Sequence, residues 1–447
     1  MTIRDQIQAK SQDVIAKLLK HIAGTGKLCI IKAPPGSGKT FTLLKAVAFS
    51  YQRGDRIAVA TQTNAQADDV CRRLVRDYPD VHVTRFGASG TAVPEDLDGH
   101  IGWVTATQDL PTARCLVVGT TAKWSLVGLS QSFDRLFVDE AWQMTWCDCM
   151  LLQPVASKFV LIGDPGQIPP VVTVAVNRWE TSPRAPHMPA PELILRDPGI
   201  TKLTLELPAC RRLPADSVEL VRPFYDFHFD AWAKPGERSV RLKAKRKLDS
   251  LDRALDSWDQ GSNIIATLRT PEGGPPLEED VEIASLAAQL ASRILARGAT
   301  AIDDDDGELR PVSPEDIGIA ATHRLMNSAI QRALAQAARS RGGAIRVDTP
   351  ERWQGLERKV MIVIHPLSGV VQPSAFDLET GRLCVMAFRH RAGLIVVSRD
   401  HVHDTLERHI PAAEQAVGRP DLTGRGHWQN LRFWSTLRGA DRVVACD

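Results

Sequence analysis

The chain has 447 residues, with 55 Lys and Arg against 53 Asp and Glu for a net charge of +2, and 43% of it is hydrophobic. That length allows two or three domains, each burying its own core, and the composition is that of a globular protein rather than a disordered or fibrous one. The near balance of charge removes any case for nucleic-acid binding from the field of the whole molecule, so such binding would have to rest on local grooves.

No apolar run approaches the ~18 residues of a membrane span, and the start MTIRDQIQAK lacks a signal-peptide pattern. A cytoplasmic protein without a membrane partner is expected. Cysteines stand at 29, 71, 115, 147, 149, 210, 384 and 446. Their spacing matches no zinc site, so they read as small buried hydrophobes or reduced thiols.

Residues 1 to 27 place Ile7, Val14, Ile15, Leu18, Leu19 and Ile22 on one helical face, which predicts an amphipathic helix or two. An apolar run, Leu28 to Ile31, then leads into Ala33-Pro-Pro-Gly-Ser-Gly-Lys-Thr40, and Thr40, Leu43, Leu44, Val47 and Ala48 follow at helical spacing. The order is strand, loop, helix. Gly36 and Gly38 free the backbone to turn its N–H groups inward around a phosphate chain, with Pro35 and Ser37 in the same loop, and the helix points its positive end at the anion. Lys39 would reach the β/γ-phosphates and Thr40 would hold Mg²⁺, so ATP and Mg²⁺ are the expected ligands. Ala33 replaces the first Gly of the phosphate-loop pattern. A near copy, His21-Ile-Ala-Gly-Thr-Gly-Lys-Leu28, has no preceding strand and no hydroxyl after Lys27, and is expected to be a turn.

Further β-type runs follow at Ile57 to Ala60, Cys115 to Val118, Leu136 to Val138 and Phe159 to Ile162, with helical patterns between them. This alternation predicts a parallel α/β sheet with helices on both faces, whose ligands sit beyond the carboxyl ends of the strands. The loops there are Thr61-Gln-Thr-Asn64, Gly119-Thr-Thr121, Asp139-Glu-Ala-Trp-Gln143 and Gly163-Asp-Pro-Gly-Gln167. From Val171 to Thr201 prolines accumulate without periodicity, and an interdomain linker is expected over 181–200, with the first domain at 1–180. Runs at Leu203 to Leu205, Ile264 to Thr267, Ile317 to Ala320, Val360 to Ile364 and Leu394 to Val397 then predict a second α/β domain at 201–447. The basic stretch Arg241 to Arg253, with Lys243, Lys245, Arg246 and Lys247, and the acidic run Asp303 to Asp306 read as solvated surface, the latter as a turn. The last ~45 residues, with Trp428 and Trp434, are expected to dock as helices.

Asp139 and Glu140 directly follow an apolar strand, roughly a hundred residues after the phosphate loop. Asp139 would hold Mg²⁺, and Glu140 would orient and deprotonate the attacking water.

Asp139-Glu-Ala-Trp-Gln143 and Gly163-Asp-Pro-Gly-Gln-Ile-Pro-Pro170 resemble motifs II and III of superfamily 1 helicases, in the branch of the RNA-decay and related DNA helicases. Ile57 to Ala65 resembles motif Ia, Cys115 to Thr121 motif Ic, Cys210-Arg-Arg-Leu-Pro214 motif IV, Thr349-Pro-Glu-Arg-Trp-Gln-Gly-Leu-Glu357 motif V, and Val385-Met-Ala-Phe-Arg-His-Arg391 motif VI. The resemblance implies two RecA-like domains and an ATP-dependent translocase or helicase working as a monomer on single-stranded DNA or RNA. It makes Gln12 the adenine-edge reader, Gln143 and Gln167 γ-phosphate sensors, and Arg211 and Arg389 arginine fingers from the second domain. Gly355 and Glu357 are placed near the nucleotide, Glu357 by the ribose. Nucleic-acid contacts would come from Thr63, Asn64, Thr120, Thr121 and Thr349, with Trp124, Trp142, Trp179 and Trp353 as stacking candidates more often found in cores. Cys210 stands where the family usually carries an aromatic that stacks on adenine, and Phe388 where it carries Thr. The segment Val75 to Arg114 is short beside the barrel-type insertions of many relatives, so the resemblance speaks more directly for hydrolysis and translocation than for unwinding. The alternative is a nucleotide-switched regulatory ATPase that recruits a protein partner.

Overall fold

A computed structural model describes residues 2–447 apart from 127–131, 173, 180, 246, 338–344 and 412–420, so Arg246 of the basic stretch lies outside the described residues. Two compact units emerge: Met1–Pro165 with Pro169–Ala209, and Gly166–Ile168 with Cys210–Asp447.

Unit 1 opens with a single helix, α1 (Ile3–Ala23), started by a reciprocal cap between Thr2 and Asp5 and burying Ile7, Leu18 and Ile22. Eight strands follow: β1 (Leu28–Lys32), β2 (Ile57–Thr61), β3 (Val83–Phe86), β4 (Gly102–Val104), β5 (Leu116–Thr120), β6 (Arg135–Val138), β7 (Phe159–Gly163) and β8 (Leu203–Glu206). They form one parallel sheet in the order β4-β3-β5-β2-β6-β7-β1-β8. Alternate residues feed two cores, Cys29 and Ile31 on one face and Ile30 on the other, as strands covered by helices on both sides require. Helices α2 (Lys39–Gln52), α3 (Asn64–Asp77) and α4 (Thr121–Trp124) follow β1, β2 and β5 directly.

The expected domain boundary is corrected. Leu203 to Leu205, read as the opening of the second domain, is β8, paired in parallel with β1 through Cys29↔Leu203 and Ile31↔Leu205. The proline-rich stretch is not wholly a linker either: after α5 (Trp146–Leu152), it contains α6 (Ala190–Arg196), whose Ala190 and Ile194 enter the first unit's core. Pro191 hides this helix from a sequence reader, yet in a first turn the missing N–H costs nothing.

Unit 2 begins with a two-stranded pair, β9 (Ala209–Cys210) and β10 (Asp230–Ala231), flanking α7 (Ala215–Val221). The remaining strands are β11 (Ser239–Arg241), β12 (Asn263–Leu268), β13 (Thr300–Ile302), β14 (Arg310–Pro311), β15 (Ile317–Ala320), β16 (Arg346–Asp348), β17 (Arg358–Ile364), β18 (His390–Arg399) and β19 (Val443–Ala445). Six make a parallel sheet, β16-β15-β17-β18-β12-β19, and β11, β13 and β14 a small antiparallel one. The chain's last stretch is only partly helical: the helix Leu422–Gly439 buries Trp434 but leaves Trp428 half exposed, and β19 then joins the sheet beside β12. The fold is α/β, with two large parallel sheets flanked by helices, as expected. Among the described residues no helix is long and apolar enough to cross a membrane.

Candidate functional site

The loop between β1 and α2 is a concave, N–H-lined turn. Gly36 (φ 63°) and Gly38 (φ 84°) occupy left-handed backbone, and Gly38 caps α2 without any side chain to satisfy the first amides. A Cβ placed on Gly38 would meet nothing within 4 Å, and the buried Ser37 hydroxyl has no protein partner. An anion with several oxygens fits this cradle, because it satisfies orphaned donors where the helix dipole favours negative charge. Ala33 is 1% exposed, its N–H given to the Gly163 carbonyl at 2.9 Å, so the family's missing glycine is here a methyl packed into the core. Pro35 is buried beside it, and Thr40 is half-buried in the first turn of α2.

Lys39, Asp139 and Glu140 come together at the carboxyl ends of β1 and β6. The Lys39 ammonium contacts the Glu140 carboxylate and lies 3.6 Å from Asp139 Oδ1. Burial works to lower the Lys39 pKa, but Glu140, Asp139 and Asp164 outweigh it and hold the ammonium above its ordinary range. For Asp139 burial dominates and pushes the carboxyl up, against the pull of Lys39. Glu140 holds a left-handed backbone (φ 51°), a conformation that costs a non-glycine residue about 1–3 kcal/mol and persists where surroundings impose it. Those surroundings are its N–H, donated to Asp139 Oδ1 at 2.9 Å, and its carbonyl, which receives the N–H of Gln143 at 2.9 Å. The turn Ala141–Gln143 packs against β7 so closely that a Cβ on Gly163 would lie 2.9 Å from the Ala141 nitrogen. Hydroxyl and carboxylate oxygens such as those of Thr40 and Asp139 are the hard donors that Mg²⁺ takes.

Gln12 stands exposed on α1 and Gln143 half-buried in the turn after Glu140. Thr63 and Thr120 lie at the carboxyl ends of the neighbouring strands β2 and β5, where each caps the following helix: Thr63 accepts from the Gln66 N–H and Thr120 from the Lys123 N–H. Asn64, exposed on the same edge, accepts 2.9 Å from the buried Arg85. Thr121 departs from its expected role, since its side chain is buried and its hydroxyl is donated to the Thr61 carbonyl at 3.1 Å. Three of the four stacking candidates are core: Trp124 and Trp353 are fully buried, donating to the Val59 and Ile319 carbonyls, and Trp142 is nearly so. Trp179 is the exception, at 37% exposure.

In unit 2, Glu357, Arg389 and Arg391 gather at the amino ends of β17 and β18. The Arg358 N–H bonds the Arg389 carbonyl at 2.9 Å, and Arg389 is 4% exposed. Glu357 is gripped by Arg212 (2.5 Å) and Arg391 (2.7 Å), which override burial and hold its carboxyl below the ordinary range. Neither arginine was singled out from sequence, although the doublet Arg211-Arg212 and the alternation of Arg389 and Arg391 were visible signals. Arg211 lies over the Trp232 ring, 4.0 Å from its centre, and burial lowers its pKa. Gly355 takes φ 77° in the turn before β17, and Gln167 sits in the short Gly166–Ile168 segment that clusters with this unit. Thr349 lies beyond the carboxyl end of β16, half-buried, with no side-chain cap bond. Cys210 is fully buried in this unit's core, so its side chain does not stand in for a stacking ring at the surface.

A family described as an AAA domain matches residues 6–111. The bovine (Bos taurus) DNA replication ATP-dependent helicase/nuclease DNA2 is 23% identical over 370 residues, covering 77% of this chain and 33% of that protein. These matches support a P-loop NTPase of the superfamily 1 helicase type. Mouse (Mus musculus) RNA helicase Mov10l1 is 30% identical to this chain over 160 residues, covering 32% of it and 13% of the relative. The chain thus spans about a third or less of the length of these two relatives. Among solved structures, the Arterivirus nonstructural protein 10 helicase has a TM-score of 0.41 at 16% identity, covering 86% of this chain and 62% of that one.

Proposed function

We propose that the chain is an Mg²⁺-dependent ATP hydrolase that moves along single-stranded DNA or RNA. The observation that carries the reading is the phosphate cradle with Lys39 already drawn onto Asp139 and Glu140. Lys39 and the amides of Gly36 to Thr40 bind the triphosphate tail, while Thr40 and Asp139 hold Mg²⁺, which when bound neutralises charge on the phosphate oxygens. Glu140 takes the proton of the attacking water. Gln143 and Gln167 orient that water and the γ-phosphate, and Arg211 and Arg389 bring positive charge to its oxygens, a contribution of roughly 10³–10⁵ in rate for an arginine finger. Gln12 and Glu357 belong to the base and ribose end of the same site. Thr63, Asn64, Thr120 and Thr349 hold the phosphates of the strand through short polar groups and backbone amides, which binds without reading sequence. The protein acts as a cytoplasmic monomer.

The test is steady-state ATP hydrolysis with and without DNA or RNA oligomers at stated salt. Stimulation by either polymer is expected. Hydrolysis indifferent to both would overturn the translocase reading in favour of a nucleotide switch.

A further inference from the structure

The acidic run Asp303 to Asp306 is not simply a solvated turn. Asp305 accepts the Trp232 indole N–H at 2.7 Å and pairs at 3.0 Å with Arg238, a guanidinium only 2% exposed that also donates to the Arg212 carbonyl. The Asp303 carbonyl accepts from Arg391 Nε at 3.1 Å. One short turn therefore braces both arginine segments of unit 2 from behind.

The Trp232 end of this brace faces Arg211 directly. The indole is joined to the Cys210–Arg211 segment by its backbone N–H on the Cys210 carbonyl (2.9 Å), its ring plane is fixed by Asp305, and the Arg211 guanidinium lies over its face at 4.0 Å. A guanidinium so placed is attracted to the ring quadrupole and loses the rotamer freedom that an arginine otherwise keeps. Burial lowers the Arg211 pKa, so the cation has been taken partly out of water and the ring face replaces some of that solvation.

We propose that Trp232, held by Asp305, is a positioning residue that pre-orients Arg211 for phosphoryl transfer, an inference that rests on the hydrolase reading above. It acts through Arg211 and touches no substrate. Because Arg211 is assigned to the transition state, loss of its orientation lowers kcat and leaves KM nearly alone.

The experiment is a double-mutant cycle in the full chain. Trp232→Leu keeps apolar bulk without a π face, and lowers kcat about 2- to 30-fold, the factor that loss of one cation–π contact supports. In an Arg211→Ala background the same change lowers kcat no further. Trp232→Phe restores most of the rate, and Asp305→Asn, which still accepts from the indole, costs less than Asp305→Ala. An unchanged kcat in Trp232→Leu overturns the inference, as does an equal loss with and without Arg211, which would mark a merely structural role. Should Trp232→Leu not fold, the cycle is read with Asp305→Ala by the same criteria. Wild-type protein that hydrolyses nothing refutes the hydrolase reading and this role together, whereas active wild type with an indifferent Trp232 refutes the inference alone.

Discussion

Replacing Lys39 by Met should destabilise the nucleotide-free protein, and do so more at high pH. Lys39 is the cation beside two carboxylates whose side chains are 9% exposed, and at 3.6 Å from Asp139 a single such pair is worth about 4–5 kcal/mol at an effective dielectric near 20. Part of that is returned when the lysine itself no longer needs desolvating, and breaking a buried pair on one side generally costs about 3–5 kcal/mol. For a unit of roughly 200 residues this corresponds to a fall of roughly 10 °C in melting temperature. The pH sign follows from Asp139. Burial already holds its carboxyl above the ordinary 3.8, and removing Lys39 takes away the strongest opposing influence. The folded state then binds a proton that the unfolded state has released, so stability is lost as pH rises from about 3.8 through the raised value. Calorimetry at pH 5 and pH 8 should therefore show a larger Lys39→Met deficit at pH 8, and the added change Glu140→Gln should recover part of it. Equal melting of wild type and Lys39→Met, or a deficit that shrinks with pH, would refute the buried ion-pair account.

Three further outcomes are expected. Glu140→Gln should retain ATP binding, measured with a fluorescent analogue, and lose roughly 10²–10⁴ in kcat as a general base is removed; normal turnover would remove the base assignment. Arg389→Ala should lose at least about 10³ in kcat with nucleotide affinity little changed, and a loss confined to affinity would argue against a finger. Cys210→Tyr, which from sequence alone would be expected to restore a stacking ring and sharpen ATP preference, should instead destabilise by about 1–3 kcal/mol, because Cys210 is wholly enclosed by core side chains. Denaturant melts decide that case: unaltered stability with improved ATP selectivity would show the ring reaching the surface.

What the sequence made legible was whatever depends on local order. The phosphate loop, the strand before Asp139 and most central strands announce themselves by apolar runs closed by glycine or polar residues, and Ile317–Ala320 is bounded as expected. Strands whose pairing supplies their stability were invisible: β4 and β19 have three residues each and only partial burial, and β16 is equally short. Pairing was also beyond reach for β8, since the apolar Leu203-Thr-Leu205 suits either sheet and only its registration beside β1 decides. At the site, residue types were readable and partners were not. Glu357 was placed by motif, but its two arginines come from positions 212 and 391, linked by no local pattern. Asp303 and Asp305 looked like surface because Arg391 and Arg238, which meet them, lie far away along the chain, whereas the nearby Arg310 pairs with Asp303 and Asp306 as an ordinary surface turn would.

The two sheets use their edges differently, and this bears on how hydrolysis could be coupled to a strand. In unit 1 the phosphate loop, Asp139 and Glu140 share the carboxyl edge with Thr63 and Thr120, so the groups proposed for nucleotide and for strand are neighbours along one rim. In unit 2 the arginines and Glu357 occupy the amino ends of β17 and β18, while Thr349 follows the carboxyl end of β16. On the proposed roles, opposite ends of one parallel sheet would meet different ligands. β17 and β18 span between those edges as buried strands bonded side by side over much of their length. Interiors packed in this way transmit displacement and do not absorb it. A tilt imposed at the arginine edge would then be carried along β17 and β18 toward the opposite edge of this sheet.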